Sequence, residues 1–303
     1  MKRVLIAGGS GMIGQALSVA LRADGWEVHV LTRQSRLAAE NAEAHLWTPG
    51  EDLDLDALGE FAAVINLAGS SISRMPWTKR RRDDILDSRI AATTTLVRAL
   101  NAARKRPKVF VSGSAVGFYG GRGDEMLTED SAAGQGFLAE VCQAWEEAAL
   151  AAPRGVRVVL LRTGLVLAHD GTLAPLRLLT RLFIAGPLAG GRAWWPWVSL
   201  RDEVRAIVHT LNSSLSGAIN IVGPTPARSG SVIREVARAL SRPYWLPAPA
   251  FAIRLLLGRA GRELLLASQR VSPAALERDG FAFSSPTVDR AVAEALAVNS
   301  AAH

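Results

Sequence analysis

Gly8, Gly11 and Gly14 stand three residues apart, between an apolar run (Val4-Leu5-Ile6-Ala7) and a helical pattern carrying Ala16, Leu17, Ala20 and Leu21. Glycine at such a strand-to-helix junction permits a tight turn, close approach of the backbone to a pyrophosphate, and helix–strand packing without an intervening Cβ. The helix start aims free N–H groups and the positive end of its dipole at the phosphates. The stretch Gly8, Ser10, Gly11, Met12, Ile13 and Gly14 is therefore the expected phosphate cradle of a nucleotide site. Its spacing differs from the simplest G-x-G-x-x-G fingerprint, so the flanking strand and helix carry the reading.

The second position with chemical content ends the next strand pattern, Glu27 to Arg33. An acidic residue there would grip the ribose 2′-OH of NAD. The chain has Thr32-Arg33-Gln34-Ser35 instead. A hydroxyl and a guanidinium suit a 2′-phosphate, which arginine binds bidentately. NADP(H) is the expected dinucleotide, read by Thr32 and Arg33. A further strand, Phe61 to Gly69, ends in Asn66-Leu67-Ala68-Gly69, and Leu67, Ala68 and Gly69 are expected to line the cofactor. Arg89, beside Ser88 in a long helical pattern, is either a surface charge or a reach back toward the phosphates.

The elements that must position these residues alternate. Strand patterns at 44–47, 108–114 (with Ser112 near its end, a further cofactor candidate), 156–164 and 218–222 are interleaved with helical ones at 79–104, 137–151 and 202–211. Leu138, Val141, Trp145 and Leu150 form the expected buried face of the helix at 137–151. This rhythm predicts a doubly wound parallel sheet with helices on both faces. From Leu165 the texture changes to loops rich in glycine, proline and tryptophan. The expected division is a nucleotide-binding domain over 1–225, with 165–198 looping toward the substrate side, and a smaller, mostly helical lobe over 226–303. Trp194, Trp195 and Trp197 read as core or as a stacking wall for a substrate. The segment Phe251 to Leu266 sets Arg254, Arg259 and Arg262 against many leucines. Its apolar density favours a packed helix of the lobe over a membrane-surface helix.

The 303 residues are 49% hydrophobic and 21% charged, with a formal net charge of +7, the composition of an ordinary globular protein. The basic excess is arginine scattered along the chain, not the clustered footprint of a nucleic-acid binder. One cysteine, Cys142, excludes an internal disulfide and fits a reducing compartment, so a cytoplasmic location is expected. The five histidines show no metal-binding pairing, and no apolar run reaches the ~18 residues of a membrane span. No metal, nucleic-acid or membrane partner is expected.

The chain resembles the extended short-chain dehydrogenase/reductases. The resemblance rests on the glycine triplet, Asn66-Leu67-Ala68-Gly69, Ser112-Gly113-Ser114 with Tyr119-Gly120, and Arg162-Thr163-Gly164. It narrows to an atypical branch usually labelled epimerase family protein, with a C-terminal domain of unknown function. Asp87-Ser88-Arg89, Phe137 to Cys142 with Trp145-Glu146, Trp195-Pro196-Trp197, and Gln269 through Phe281 carry the narrower match. It implies a Rossmann fold and a reductase or epimerase acting on a small carbonyl or sugar-type substrate. Members of the broad family use a serine or threonine with a Tyr-x-x-x-Lys pair on one helix face. Here Leu138 stands for that tyrosine and Cys142 for the lysine, and no lysine follows Lys108. The resemblance places Leu138 against the cofactor, Ser114 as the catalytic serine and Tyr119 as a substitute acid. The alternative is an NADP(H)-binding sensor without turnover. The helices at 79–104 and 137–151 resemble those that pair subunits in this superfamily, which makes a homodimer an expectation.

Overall fold

The computed structural model describes residues 2–297. The chain opens with β1 (Lys2–Ala7), α1 (Met12–Ala23), β2 (Trp26–Thr32), α2 (Ser35–Glu40), β3 (Ala44–Leu46), α3 (Leu55–Leu58) and β4 (Ala63–Asn66). It continues through α4 (Lys79–Ala102), β5 (Val109–Ala115), β6 (Met126–Leu127), α5 (Phe137–Leu150), β7 (Arg157–Thr163), β8 (Leu165–Leu167) and α6 (Leu173–Arg181). Then come β9 (Trp194–Trp195), β10 (Trp197–Ser199), α7 (Leu200–Asn212), β11 (Gly217–Ile221) and β12 (Ala227–Arg228). The last elements are α8 (Ser229–Ala239), α9 (Ala250–Ala260), β13 (Arg270–Val271), α10 (Ala274–Arg278) and α11 (Val288–Ala297).

Seven strands form one sheet in the order β11-β7-β5-β4-β1-β2-β3, all paired in parallel. Residues alternate across it as a strand period of two requires. Val4, Ile6, Val28, Ile65, Val111 and Val159 join Leu17 and Leu21 of α1 and Ile207 of α7 on one face. Leu5, Ala7, Val64, Phe110 and Leu160 meet Ala92, Leu96 and Leu100 of α4 on the other. This is the doubly wound arrangement. Strand order reverses between β1 and β4, so the crevice for a ligand lies at the carboxyl ends of those two strands.

Trp195 and Trp197 are core residues, packed with Val232, Ile233 and Val236 of α8 and Ala291 and Val292 of α11. Trp194 is half-buried, its indole N–H bonded to Asp124 at 2.6 Å and the Arg228 guanidinium 4.1 Å from its ring centroid. The helix at 137–151 buries Val141 and Trp145 as its spacing predicts, but Leu150 is exposed at its last turn. The expectation of a packed helix at 251–266 holds for one side only. In α9 Ile253 and Ala260 are buried, whereas Phe251, Leu255 and Leu256 are 71%, 83% and 80% exposed. Hydrophobicity alone does not distinguish a helix wrapped in core from one laid along its edge. The outer faces of α4 and α5 expose Arg80, Asp83, Asp87, Glu140, Gln143 and Glu147, so a pairing of copies there would be polar. Among the described residues no helix is long and apolar enough to cross a membrane.

Candidate functional site

The glycine loop joins β1 to α1 above the switch point. Gly8 has φ +85°, and a Cβ on it would lie 2.6 Å from the backbone of Leu67, so β4's end and the loop touch backbone to backbone. A Cβ on Gly14 would collide with the Gly8 carbonyl oxygen, which fixes the close approach of α1 to the loop. Gly11 is the N-cap of α1 and no side chain caps the helix. Its first N–H groups are thereby left to an external acceptor. Ser10, Gly11 and Met12 are exposed and Ile13 half-buried. Such a cradle fits a pyrophosphate. At the end of β2, Thr32 Oγ1 accepts the Gln34 N–H at 3.1 Å and Arg33 is exposed. That is a suitable place for a guanidinium that binds an adenosine 2′-phosphate.

The other wall is the loop after β4. Asn66 is buried, its Nδ2 donating to Thr93 Oγ1 at 2.9 Å and its Oδ1 accepting from Ala68 N at 3.2 Å, which turns Leu67 and Ala68 across the loop. Arg89 is engaged from within. Its Nη1 donates to Ser70 O at 3.0 Å and Ile85 O at 2.9 Å, and its guanidinium lies 5.0 Å from the Trp145 ring centroid. Burial pushes the Arg89 pKa down. It is not a free surface charge: Nη1 supports the loop at Gly69 and Ser70, and neither bond engages Nε or Nη2. Trp145 in turn packs on β5 where Gly113 leaves room, since a Cβ there would lie 2.7 Å from the indole.

At the carboxyl end of β5 a hydrogen-bonded chain runs through buried side chains. Ser114 Oγ donates to Glu146 Oε1 at 2.6 Å. Arg162 holds both oxygens of Glu146, Nε to Oε1 and Nη2 to Oε2, each at 2.9 Å. Arg162 Nη1 donates to Tyr119 Oη at 3.0 Å, and Tyr119 donates to Asn220 Oδ1 at 2.6 Å. Asn220 Nδ2 ends on Ser272 O at 2.9 Å. Burial works against the charge on Arg162, but its bonds to Glu146 and Tyr119 leave its pKa raised. Tyr119 is fully buried and its phenol is pushed up, chiefly by burial. Its one proton is already held by Asn220. Ser112 is wholly buried within β5 and bonds only weakly, to Gly113 O at 3.3 Å.

Leu138, Cys142 and Glu146 follow at four-residue spacing, and a Cβ on Gly117 would approach Leu138 Cβ at 3.1 Å and Cys142 Sγ at 3.5 Å. One face of α5 therefore looks at the end of β5. Burial pushes the Cys142 thiol up to about 12, so it is not a ready nucleophile. Leu138 is held in place from far along the chain: Glu263 accepts the N–H groups of Phe137 at 3.2 Å and Leu138 at 2.8 Å, capping α5. Sequence reading named Glu146 and Arg162 only as motif residues without a role, and missed Asn220 and Glu263. For Glu146 a signal was present in the four-residue step from Leu138 through Cys142. Among the described residues no cluster of potential metal ligands occurs.

A parallel doubly wound sheet with a glycine cradle at its switch point defines a dinucleotide-binding protein, and the family follows from comparison. The chain matches the model of the NAD dependent epimerase/dehydratase family over residues 4–222 and belongs to that family. Residues 248–295 match a domain of unknown function (DUF1731). An epimerase family protein of Mycobacterium leprae is 42% identical over 296 residues, covering 96% of this chain and 95% of the relative. A chloroplastic homologue of epimerase family protein SDR39U1 from Arabidopsis thaliana is 39% identical, covering 92% of this chain and 82% of the relative. The crystal structure of human epimerase family protein SDR39U1 with NADPH superposes with a TM-score of 0.89 at 28% identity, covering 98% of this chain and 99% of that one.

Proposed function

We propose that the chain is an NADP(H)-dependent oxidoreductase, a reductase or epimerase of a small carbonyl or sugar-type substrate, in which Ser114 handles the substrate's proton. The observation that carries this reading is the 2.6 Å hydrogen bond from Ser114 Oγ to Glu146 Oε1 at the end of β5. With its own proton committed to a carboxylate, the hydroxyl oxygen is left to accept from a substrate hydroxyl. Ser114 then takes that proton while its own passes to Glu146, and the two transfers run backward in the reducing direction. Arg162 fixes Glu146 from the far side and Tyr119 braces Arg162, which makes both positioning residues. A bound NADP(H) supplies or receives the hydride. Gly8, Ser10, Gly11, Met12, Ile13 and Gly14 hold its pyrophosphate, Thr32 and Arg33 its 2′-phosphate, and Leu67, Ala68, Gly69 and Leu138 its flanks. Arg89 keeps the loop at Gly69 in shape. A reducing aqueous compartment such as the cytoplasm suits the buried thiol of Cys142.

The test is hydride exchange. With NADPH and a panel of carbonyl compounds and sugar nucleotides, nicotinamide absorbance and product isomers report turnover. Ser114→Ala should lower it by about 10²–10⁴-fold at unchanged NADPH affinity, whereas Tyr119→Phe should retain catalysis. A second reading, an NADP(H) sensor without turnover, is favoured by the α5 face, where neither Leu138 nor the Cys142 thiol, at about 12, exchanges protons readily. Tight NADPH binding with no hydride exchange across the panel would establish it over the first.

A further inference from the structure

An exposed side built from residues 182–189 and from the chain after Tyr244 carries a second kind of site. Residues 182–189 and 244–249 run side by side: Trp245 N and Leu246 N donate to Ala185 O at 3.0 and 3.2 Å, and Ala248 N to Pro187 O at 3.0 Å. α9 begins directly after. On these adjoining pieces Leu182, Phe183, Trp245, Phe251, Leu255 and Leu256 are all more than half exposed. Monomeric proteins seldom leave so many large apolar side chains uncovered on neighbouring segments.

The charge pattern says what covers them. Residues 173–188 and 242–262 contain Arg177, Arg181, Arg242, Arg254, Arg259 and Arg262 and not one aspartate or glutamate. Five of these arginines are exposed, and Arg177 is turned inward, its Nη1 bonded to His169 O at 2.9 Å. Acidic residues balance only two of them: Glu263, which also accepts the N–H groups of Phe137 and Leu138, lies 3.7 Å from Arg259, and Asp170 lies 3.8 Å from Arg177. Arg181, Arg242, Arg254 and Arg262 have no ion pair among the described residues, and Glu235 on α8 lies 3.7 Å from Arg238. A second copy pressed against this face would set arginines against arginines. An anionic surface complements both the apolar side chains and their rim.

Two local features fit insertion of the aromatics into an apolar medium. Phe183 has φ +63° where α6 ends, with Phe183 N bonded to Thr180 O and Ile184 N to Leu179 O. Glycine usually fills that position, so a phenylalanine is held in a left-handed conformation with its ring outward. Trp245 donates its indole N–H to Phe183 O at 2.9 Å, which leaves its ring no unsatisfied donor to carry out of water. The Arg242 guanidinium lies 4.9 Å from the Phe183 ring centroid, beside these anchors. We infer that this face docks on the surface of an anionic lipid bilayer, with Leu255 and Leu256 among its inserted side chains and the arginines on headgroup phosphates. The inference departs from the expectation of no membrane partner and stands independently of the catalytic reading.

Flotation of the full chain with vesicles of equal parts phosphatidylcholine and phosphatidylglycerol tests it, against phosphatidylcholine alone. The protein should float with the mixed vesicles, stay behind with the neutral ones, and be released by high salt. Leu255→Ser with Leu256→Ser should weaken partitioning by about tenfold or more, as should Arg254→Glu with Arg262→Glu. Val19→Ser, at an exposed apolar position on α1, should change nothing. NADPH binding and thermal melting measured on each variant confirm that it is folded. Absence of flotation, or equal flotation of wild type and Leu255→Ser/Leu256→Ser, overturns the inference. So does a dimer, seen by light scattering, that the leucine variant converts to monomer.

Discussion

Glu203 is a buried acid with half of its hydrogen bonding missing. Thr163 Oγ1 donates to its Oε1 at 2.8 Å, while Oε2 has no partner among the described residues. Burial pushes its pKa from 4.5 to about 8. Between those values the unfolded chain releases a proton that the folded protein keeps, so stability falls as pH rises through that window. Glu203→Gln removes the titration. The stability difference between variant and wild type, read from urea unfolding, should therefore move in the variant's favour by about 2–4 kcal/mol from about pH 5 to about pH 8. A difference that stays constant over the range would show that the carboxyl is not held neutral. The same residue-scale view separates Ser114 from Tyr119. Both were visible in the sequence as hydroxyls near the end of one strand, yet what they do depends on partners far along the chain. Glu146 lies 32 residues beyond Ser114, and Asn220 lies 101 beyond Tyr119. No local pattern carries such pairings.

At the scale of elements, the cradle was legible because everything it needs is local: an apolar strand, three glycines and a helix start within the first two elements. The loop after β4 was legible for the same reason. Arg33 follows directly from the end of β2, exposed where a 2′-phosphate would reach it. Arg33→Ala should lower NADPH affinity by about tenfold or more and leave NADH affinity unchanged, measured by calorimetry with both dinucleotides. Equal loss for the two would mean that the side chain supports the fold of the turn and reads no phosphate. α5 shows where local reading stops. Its spacing identified a buried face, but Leu150 lies about 120° around the helix from Leu138, off that face, and is exposed while Ala149 beside it is buried in the core. α9 shows the same limit more strongly, since leucines that read as core stand in the open. Arg89 sat at a recognisable position, and only the fold shows its guanidinium turned onto Ser70 and Trp145.

Across the whole molecule, the question is what ties the C-terminal chain to the sheet. Asp202, in the first turn of α7, is 1% exposed and takes hydrogen bonds from both sides of that joint. Its Oδ1 accepts from Ser284 N at 2.8 Å, Ser284 Oγ at 2.7 Å and Arg205 Nη1 at 3.0 Å, and its Oδ2 from Ser285 N at 2.9 Å and Ser199 Oγ at 3.1 Å. Burial alone would raise its pKa. The bonds from Ser284, Ser285 and Ser199 outweigh it and hold the carboxyl below its usual 3.8. A group depressed in the folded state contributes stability that is complete above the unfolded value and is lost as pH falls through the folded one. Asp202→Asn swaps an accepting oxygen for a donor that faces donors. It should cost about 2–4 kcal/mol near neutral pH, and the gap to wild type should close as pH drops below 3.8. Limited proteolysis locates the effect: residues after Phe281, which lead into α11, should become cleavable before the sheet does. Uniform cleavage throughout the chain would show instead that the lobe and the sheet unfold together, with Asp202 one contact among many.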